Sequence, residues 1–383
     1  TSFDRTVYTL MKIPVPRRSI VDSCILVLHD WSSFISLEDK EIDAERGVIE
    51  EEWRRSNNGD MRNMEKLLDF AFPGNKYGKR LPIGKMDIVR HFPYQVLRDY
   101  YKKWYRPDLQ ALIIVGDVDV DYVEAQIKKT FADIPVPVNA AKRVYVPVED
   151  NAKPIVGIVS DKEATQNTIT VTYKSDVTPP EVRASIMGPL EDYINDLVST
   201  MINQRFSDMT KKPNAPFTGA SVSFGDYIVA KTKDATSFDA SFKEGQWDPA
   251  LKALVAEIVR IKKYGFTPAE FDRAKKDFLV TAKNMYNERD KRTSATWAEV
   301  YVDYFDDGGY LLDIPTYYQV VQGLAAQLPL EQINAMMQEM DLEKNVLVAL
   351  TSVEKAGIKL PSVAELTEKY HTYLQQQVEA PKN

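Results

Sequence analysis

The 383-residue chain has one cysteine, three histidines and no run of about 18 apolar residues. Each scarcity excludes something. A lone Cys24 allows no internal disulfide, and its place in the apolar run 24–28 makes it a small buried hydrophobe rather than a nucleophile. The lack of a disulfide framework fits the cytosol, although large bacterial envelope proteins also manage without one. No segment is apolar enough to span a membrane as a helix. The chain also lacks any long Lys/Arg cluster interleaved with aromatics, and its net charge is −7. Nucleic acid is therefore not an expected partner. Of the three histidines, His29 lies within an apolar helical pattern and His91 follows a helix-like turn, so both read as structural or surface groups rather than metal ligands.

What remains is an ordinary globular composition, 44% hydrophobic and 27% charged, long enough for two or three domains with a sizeable core. Residues 1–15 read as an extended strand, its pattern carried by 6–15. The chain thus begins in mid-strand without an initiator Met, and the expectation is that a preceding segment is absent. Helices are predicted over 20–34, 37–57, 60–72, 93–105 and 122–131, with an exposed loop over 73–82 and a buried strand over 109–115. Four prolines between 134 and 154 mark a linker. The expected domains are therefore 1–137 and 138–383. The second should hold strands at 155–159 and 168–173, a long helix over 181–209, and a strand pair over 217–231. Helices over 249–263, 268–288 and 293–304 follow, and then a closing helix, strand and helix. That closing pattern, from Pro329 through the strand 345–350, echoes the passage from Pro93 through 109–115 and suggests a duplicated α/β unit.

The most informative stretch is Glu41-Ile-Asp-Ala-Glu-Arg-Gly-Val-Ile-Glu-Glu-Glu-Trp53. At 3.6 residues per turn, Glu45 and Glu52 share a face flanked by Val48 on one side and by Ile42, Ile49 and Trp53 on the other. Two acids set in an apolar stripe need a cation, a counter-ion or a proton, since desolvating a lone carboxylate costs several kcal/mol. The competing reading is a solvated acidic face paired with Arg46, Arg54 and Arg55.

Four segments together resemble the pitrilysin/insulinase family of zinc metallopeptidases, whose motif is His-x-x-Glu-His. They are Thr1-Ser-Phe-Asp-Arg-Thr-Val-Tyr8, Glu45-Arg-Gly-Val-Ile-Glu-Glu-Glu52, Tyr101-Lys-Lys-Trp-Tyr-Arg-Pro-Asp108 leading into Ile113–Asp119, and Gly265-Phe-Thr-Pro-Ala-Glu-Phe-Asp-Arg-Ala-Lys275. The resemblance implies two similar α/β (α+β) domains, each a mainly antiparallel sheet covered by helices, facing across a cleft. It implies one Zn2+ per complete active site, with Glu52 as a metal ligand and Glu45 as the supporting catalytic-site acid. Peptide substrates would add to a sheet edge continued by the strand carrying Thr1 and Phe3. The family's Arg and Tyr pair, seven residues apart, falls on Thr210 and Phe217, which leaves Phe217 as a cleft-lining residue without the polar group.

None of the three histidines belongs to a His-x-x-Glu-His, so the resemblance places both histidine ligands and the catalytic glutamate upstream of Thr1. The leading expectation is a zinc endopeptidase or oligopeptidase acting on extended peptides, inactive as this chain alone. The alternative is a non-catalytic homologue that binds substrate or serves as scaffold in a peptidase pair. The resemblance also allows a second peptidase half, or a homo- or heterodimer partner, and suggests the bacterial periplasm or cell envelope, with the cytoplasm as the alternative compartment.

Overall fold

A computed structural model describes residues 1–381. In chain order the elements are α1 (Arg18–Ser33), α2 (Asp39–Ser56), α3 (Gly59–Ala71), α4 (Met86–His91), α5 (Tyr94–Trp104) and α6 (Val120–Thr130), then β1 (Ile155–Asp161) and β2 (Thr168–Ser175). Next come α7 (Pro180–Arg183), α8 (Met187–Thr210), β3 (Gly219–Tyr227), β4 (Ala230–Ser241), α9 (Trp247–Tyr264), α10 (Pro268–Asn287) and α11 (Ser294–Asp307). The chain ends with α12 (Ile314–Gln327), α13 (Leu330–Gln338), β5 (Val346–Val353) and α14 (Val363–Leu374). The long helix expected over 181–209 is broken into α7 and α8, and the second strand of the pair expected over 217–231 runs on to Ser241.

These elements form two compact units, each assembled from separate stretches of chain. The first comprises Thr1–Arg55, Pro82–Val144 and Asp290–Gly308; the second comprises Ser56–Leu81, Tyr145–Arg289 and Gly309–Asn383.

The first unit is helical. Its small core joins Val21 and Ile25 of α1 to Val123 of α6, with Val15, Ile114 and Phe131 packed around them. The segments 6–15 and 109–115, expected as strands, are not part of any strand ladder. Their β-branched composition favours an extended backbone, but a strand exists only where a neighbour accepts and donates its ladder bonds. No such neighbour pairs with them among the described residues.

Within this unit the buried ring of His29 bridges two carboxylates. Nδ1 lies 2.9 Å from Asp30 and Nε2 lies 2.8 Å from Asp133, while the ring stacks on Phe34 and meets Phe131 edge-on. Two acceptors on two ring nitrogens call for the imidazolium, in which both nitrogens are donors. Burial opposes that charge, but Asp133 and Asp30 outweigh it and the His29 pKa is raised above 6.5. A raised folded-state pKa gives stability that is fully present below the unfolded value and is lost as pH rises through the folded one. Titrating the His29 ring by NMR should give a midpoint above 6.5, and His29→Phe should remove the loss of thermal stability over that interval.

The second unit is a five-stranded sheet in the order β1-β5-β2-β4-β3, antiparallel except for the β1/β5 pair. Alternate residues of β2 (Ile169, Val171, Tyr173) and β5 (Val346, Val348, Leu350) face a core shared with α8, α9 and α14, as the two-residue period of a strand requires. On the other face α3 crosses β1, where Gly157 leaves room for the Phe70 ring; a Cβ there would fall 2.3 Å from it. The mixed α/β class read from the sequence is what the chain adopts, and the mainly antiparallel sheet covered by helices stands in this second unit. The helix after Pro93 and the helix after Pro329 are α5 and α13, but only the latter leads into a paired strand.

Candidate functional site

Helix α2 is well specified locally. Asp39 and Glu41 lie in its first turn and Arg54 and Arg55 in its last, matching the positive and negative ends of the helix dipole. Ile42 is its buried residue, Ile49 and Trp53 are half-buried, and Val48 is exposed.

Four of the acids of α2 fall into two pairs with the same spacing of seven. Asp43 and Glu50 share one face. Glu45 and Glu52 share another, displaced by two residues and therefore by about 200° around the helix. The first pair holds the helix in place. Tyr94 Oη donates to Asp43 at 2.7 Å, and Arg46 Nε donates to the same carboxylate at 3.0 Å. The Arg46 guanidinium also donates to the carbonyl oxygens of Val89 and Phe92 and sits 4.1 Å from the Phe92 ring centroid. Glu50 accepts from Arg90 at 2.7 Å and from Arg54 at 3.1 Å. These contacts fasten α2 to α4 and to the start of α5. The hydrogen bonds from Tyr94 and then Arg46 hold Asp43 below the ordinary carboxylate range, and those from Arg90 and Arg54 do the same for Glu50.

The second pair lies on the other side of the helix. Glu45 and Glu52 are both exposed, so the apolar stripe expected to bury them does not. The physical reason lies in the partners: α4 and α5 cover the Asp43/Glu50 side, which turns Glu45, Glu52 and Val48 outward. Sequence reading named Arg46 only as a counter-ion of a solvated acidic face, and it missed Asp43, Glu50, Arg90 and Tyr94 as the groups that orient this helix. The available signal was the Asp43/Arg46 spacing of three together with the seven-residue repeat of acids.

The residues present do not make a whole zinc site. Zinc in a peptidase takes three protein ligands, mostly imidazole and carboxylate. Among the described residues there is no group of three or more His, Cys, Asp or Glu placed to hold a metal. His29 is committed to its two aspartates, and His91 Nδ1 lies 2.9 Å from the Asp87 carbonyl oxygen. The chain offers carboxylate oxygens at Glu45 and Glu52 and no imidazole beside them.

The remaining residues singled out in the sequence are scattered. Thr1 is exposed and Phe3 is half-buried, both in the irregular N-terminal segment. Phe217, expected to line a cleft, lies inside the core of the second unit, 3% exposed and edge-on to Phe206 at 5.9 Å. It enters β3 on the helix-covered side, which is why it is buried. Thr210 turns its hydroxyl back to the Ser207 carbonyl oxygen at 2.7 Å.

Residues 91–278 match the family described as the peptidase M16 inactive domain. These residues, just under half of the chain, belong to that family, and the chain is homologous to pitrilysin/insulinase-type peptidases. It is 24% identical over 379 residues to the probable zinc protease PqqL of Haemophilus influenzae, covering 98% of this chain and 40% of that protein. It is 28% identical over 293 residues to the probable zinc protease PqqL of Escherichia coli, covering 76% of this chain and 31% of that protein. The crystal structure of the first half of the periplasmic protease PqqL from Escherichia coli superposes with a TM-score of 0.82 at 23% identity, over 96% of this chain and 78% of that one. The chain thus spans well under half the length of these curated relatives. The matched domain begins at His91 and excludes α2, so the word inactive describes the part of the chain that does not carry Glu45 and Glu52.

Proposed function

We propose that this chain is part of a zinc-dependent peptidase that hydrolyses extended or unfolded peptides, and that it contributes Glu52 as a metal ligand and Glu45 as the carboxylate that orients it. The observation that carries the reading is the Glu45/Glu52 pair: two carboxylates two turns apart, exposed on one face of a helix whose rotation is fixed by Asp43, Arg46 and Glu50. A carboxylate left accessible on an anchored helix suits an incoming cation better than one on a freely turning surface, because little freedom is lost on binding. The zinc protease names of the relatives support the metal and the reaction class. The two histidine ligands and the catalytic glutamate are not among these 383 residues, so this chain alone should not hydrolyse peptides. The periplasm is the proposed compartment, by likeness to the periplasmic protease.

The test uses the full gene product. It should hold about one zinc, and chelation should abolish cleavage of an unfolded peptide. Glu52→Gln should remove most of the bound zinc, and Glu45→Gln should weaken metal affinity or activity by about 10–100-fold, the usual effect of losing a carboxylate that supports a ligand. Full zinc occupancy in the Glu52→Gln protein would sink the assignment.

A second reading, a substrate-holding subunit of a peptidase pair, is favoured by one observation. Phe217 is in the core and the Thr210 hydroxyl is turned into its own helix, so neither position offers a polar group to a peptide carbonyl. Absence of zinc from the full gene product under saturating metal, with unfolded peptide still bound, selects it.

A further inference from the structure

The second unit holds a cavity of about 250 Å³ on the helix-covered face of its sheet, far from α2 in sequence. Its floor is aromatic, from Tyr173 of β2, Phe224 of β3 and Phe238 of β4; α8 supplies Val198 and Ile202, and Met337 and Met340 close the third side. Tyr173, Val198, Ile202 and Phe238 are buried, so the interior is apolar. For scale, an apolar cavity of about 150 Å³ admits a benzene ring. This one has room for a ring with a short chain.

The mouth has a different chemistry. Lys344, Asp341 and Ser175 line it and are exposed. The Asp341 carboxylate is already committed, accepting from the backbone N–H groups of Glu343 at 2.9 Å and Lys344 at 3.0 Å. The Lys344 ammonium and the Ser175 hydroxyl have no hydrogen-bond partner among the described residues. Lys262 steadies the same loop by donating to the carbonyl oxygens of Gln338 and Met340. An apolar chamber thus opens on two donors without a hydrogen-bond partner among the described residues, one of them a cation close enough to Asp341 and Asp150 to favour their ionised forms. That combination matches a ligand with an apolar body and an anionic end.

We propose that this cavity binds a compact carboxylate with an aryl or branched-alkyl body, seated against Phe238 and Met337 with its carboxylate at Lys344 and Ser175. The two methionines let the walls adapt to the ring. The same chemistry is presented by a free arylalkanoic acid and by the C-terminal residue of a peptide. The proposal stands apart from the zinc reading, since none of its residues lies on α2.

Titration calorimetry and ligand-observed NMR on the purified chain test it with 3-phenylpropionate, its uncharged amide, and Ala-Ala-Phe with a free or amidated C-terminus. The acid should bind saturably at one site and about tenfold more tightly than its amide. Lys344→Ala should bring the acid down to the amide's affinity. Thr236→Phe, filling the cavity from β4, should abolish binding; Val198→Phe does the same from α8 should the first variant fail to fold, with circular dichroism as the check. Binding of free-acid Ala-Ala-Phe identifies a peptide C-terminus as the source, and binding of 3-phenylpropionate alone identifies a free acid. Absence of saturable binding, equal affinity for acid and amide, or undiminished binding to a folded, filled variant overturns the proposal.

Discussion

Arg205→Ala should destabilise the second unit by about 3–5 kcal/mol, the usual cost of stripping one partner from a buried charge network. Arg205 on α8 donates to Glu257 of α9 at 2.8 Å, to both oxygens of Glu270 on α10 at 2.6 and 2.8 Å, and to the Gly265 carbonyl oxygen at 3.0 Å. The Glu257 side chain is 2% exposed. Without Arg205 it keeps, among the described residues, Arg260 alone, while Glu270 keeps the Thr267 backbone it already caps. Lysine is no substitute, since one ammonium cannot replace a planar fork that meets three acceptors. Arg205→Lys should therefore recover less than half of the loss in urea unfolding. Burial pushes Glu270 upward, but Arg205 overrides it and holds the acid below its ordinary value of 4.5. A depressed folded-state pKa gives stability that is present above 4.5 and lost as pH falls through the folded value. That acid-sensitive part should flatten in Arg205→Ala. An unchanged acid limb, or a loss under about 1 kcal/mol, would show that solvent already satisfies the two glutamates.

Gly59→Ala should cost about 3 kcal/mol or more, at the upper end for overpacking, because the added carbon meets backbone rather than a movable side chain. A Cβ there would sit 2.2 Å from the Ala164 nitrogen and 2.3 Å from the Glu163 carbonyl carbon. The contact is tight because the start of α3 is stitched to the turn after β1. Asp60 accepts from the Thr165 N–H at 2.9 Å and from its hydroxyl at 2.6 Å, and Arg62 forks onto Asp161 at 2.7 and 2.8 Å. Relieving the clash means breaking those bonds. Amide hydrogen exchange should report it directly, with protection lost along α3 and β1 before the rest of the sheet. Wild-type protection on α3 in the variant would count against this packing.

Helix α2 was legible from its periodicity; which of its faces is covered was not. Two acid pairs with identical spacing cannot be told apart within the helix, and the choice is made by Arg90 and Tyr94, some forty to fifty residues away. Segments 6–15 and 109–115 show the same limit for strands: extended composition is local, a ladder is not. Two of the stretches that carried the family resemblance have a structural explanation. In Gly265–Lys275, Gly265 takes a φ of 64° that ends α9 and leaves its carbonyl to Arg205, Thr267 caps α10, and Glu270 closes both the cap and the arginine network. In Tyr101–Asp108, Arg106 is buried, forks onto Asp108 and donates to the Ala141 carbonyl oxygen at 2.8 Å. At both stretches an arginine gathers carboxylate and carbonyl acceptors from separate parts of the chain. Glu45 and Glu52, in contrast, are exposed.

The position of β5 has a consequence for the growing polypeptide. It lies between β1 and β2, pairing Ile155 with Leu347 and Thr168 with Thr351, yet it is synthesised long after both. At ordinary translation rates the nascent chain carries β1 without a neighbour and β2 half-paired for on the order of tens of seconds. During that interval β1, with Ile155, Val156, Ile158 and Val159, is an unpaired apolar segment and β2 is the open edge of the sheet, the kind of surface that pairs with other chains. The first strand to be made is therefore paired only by the last.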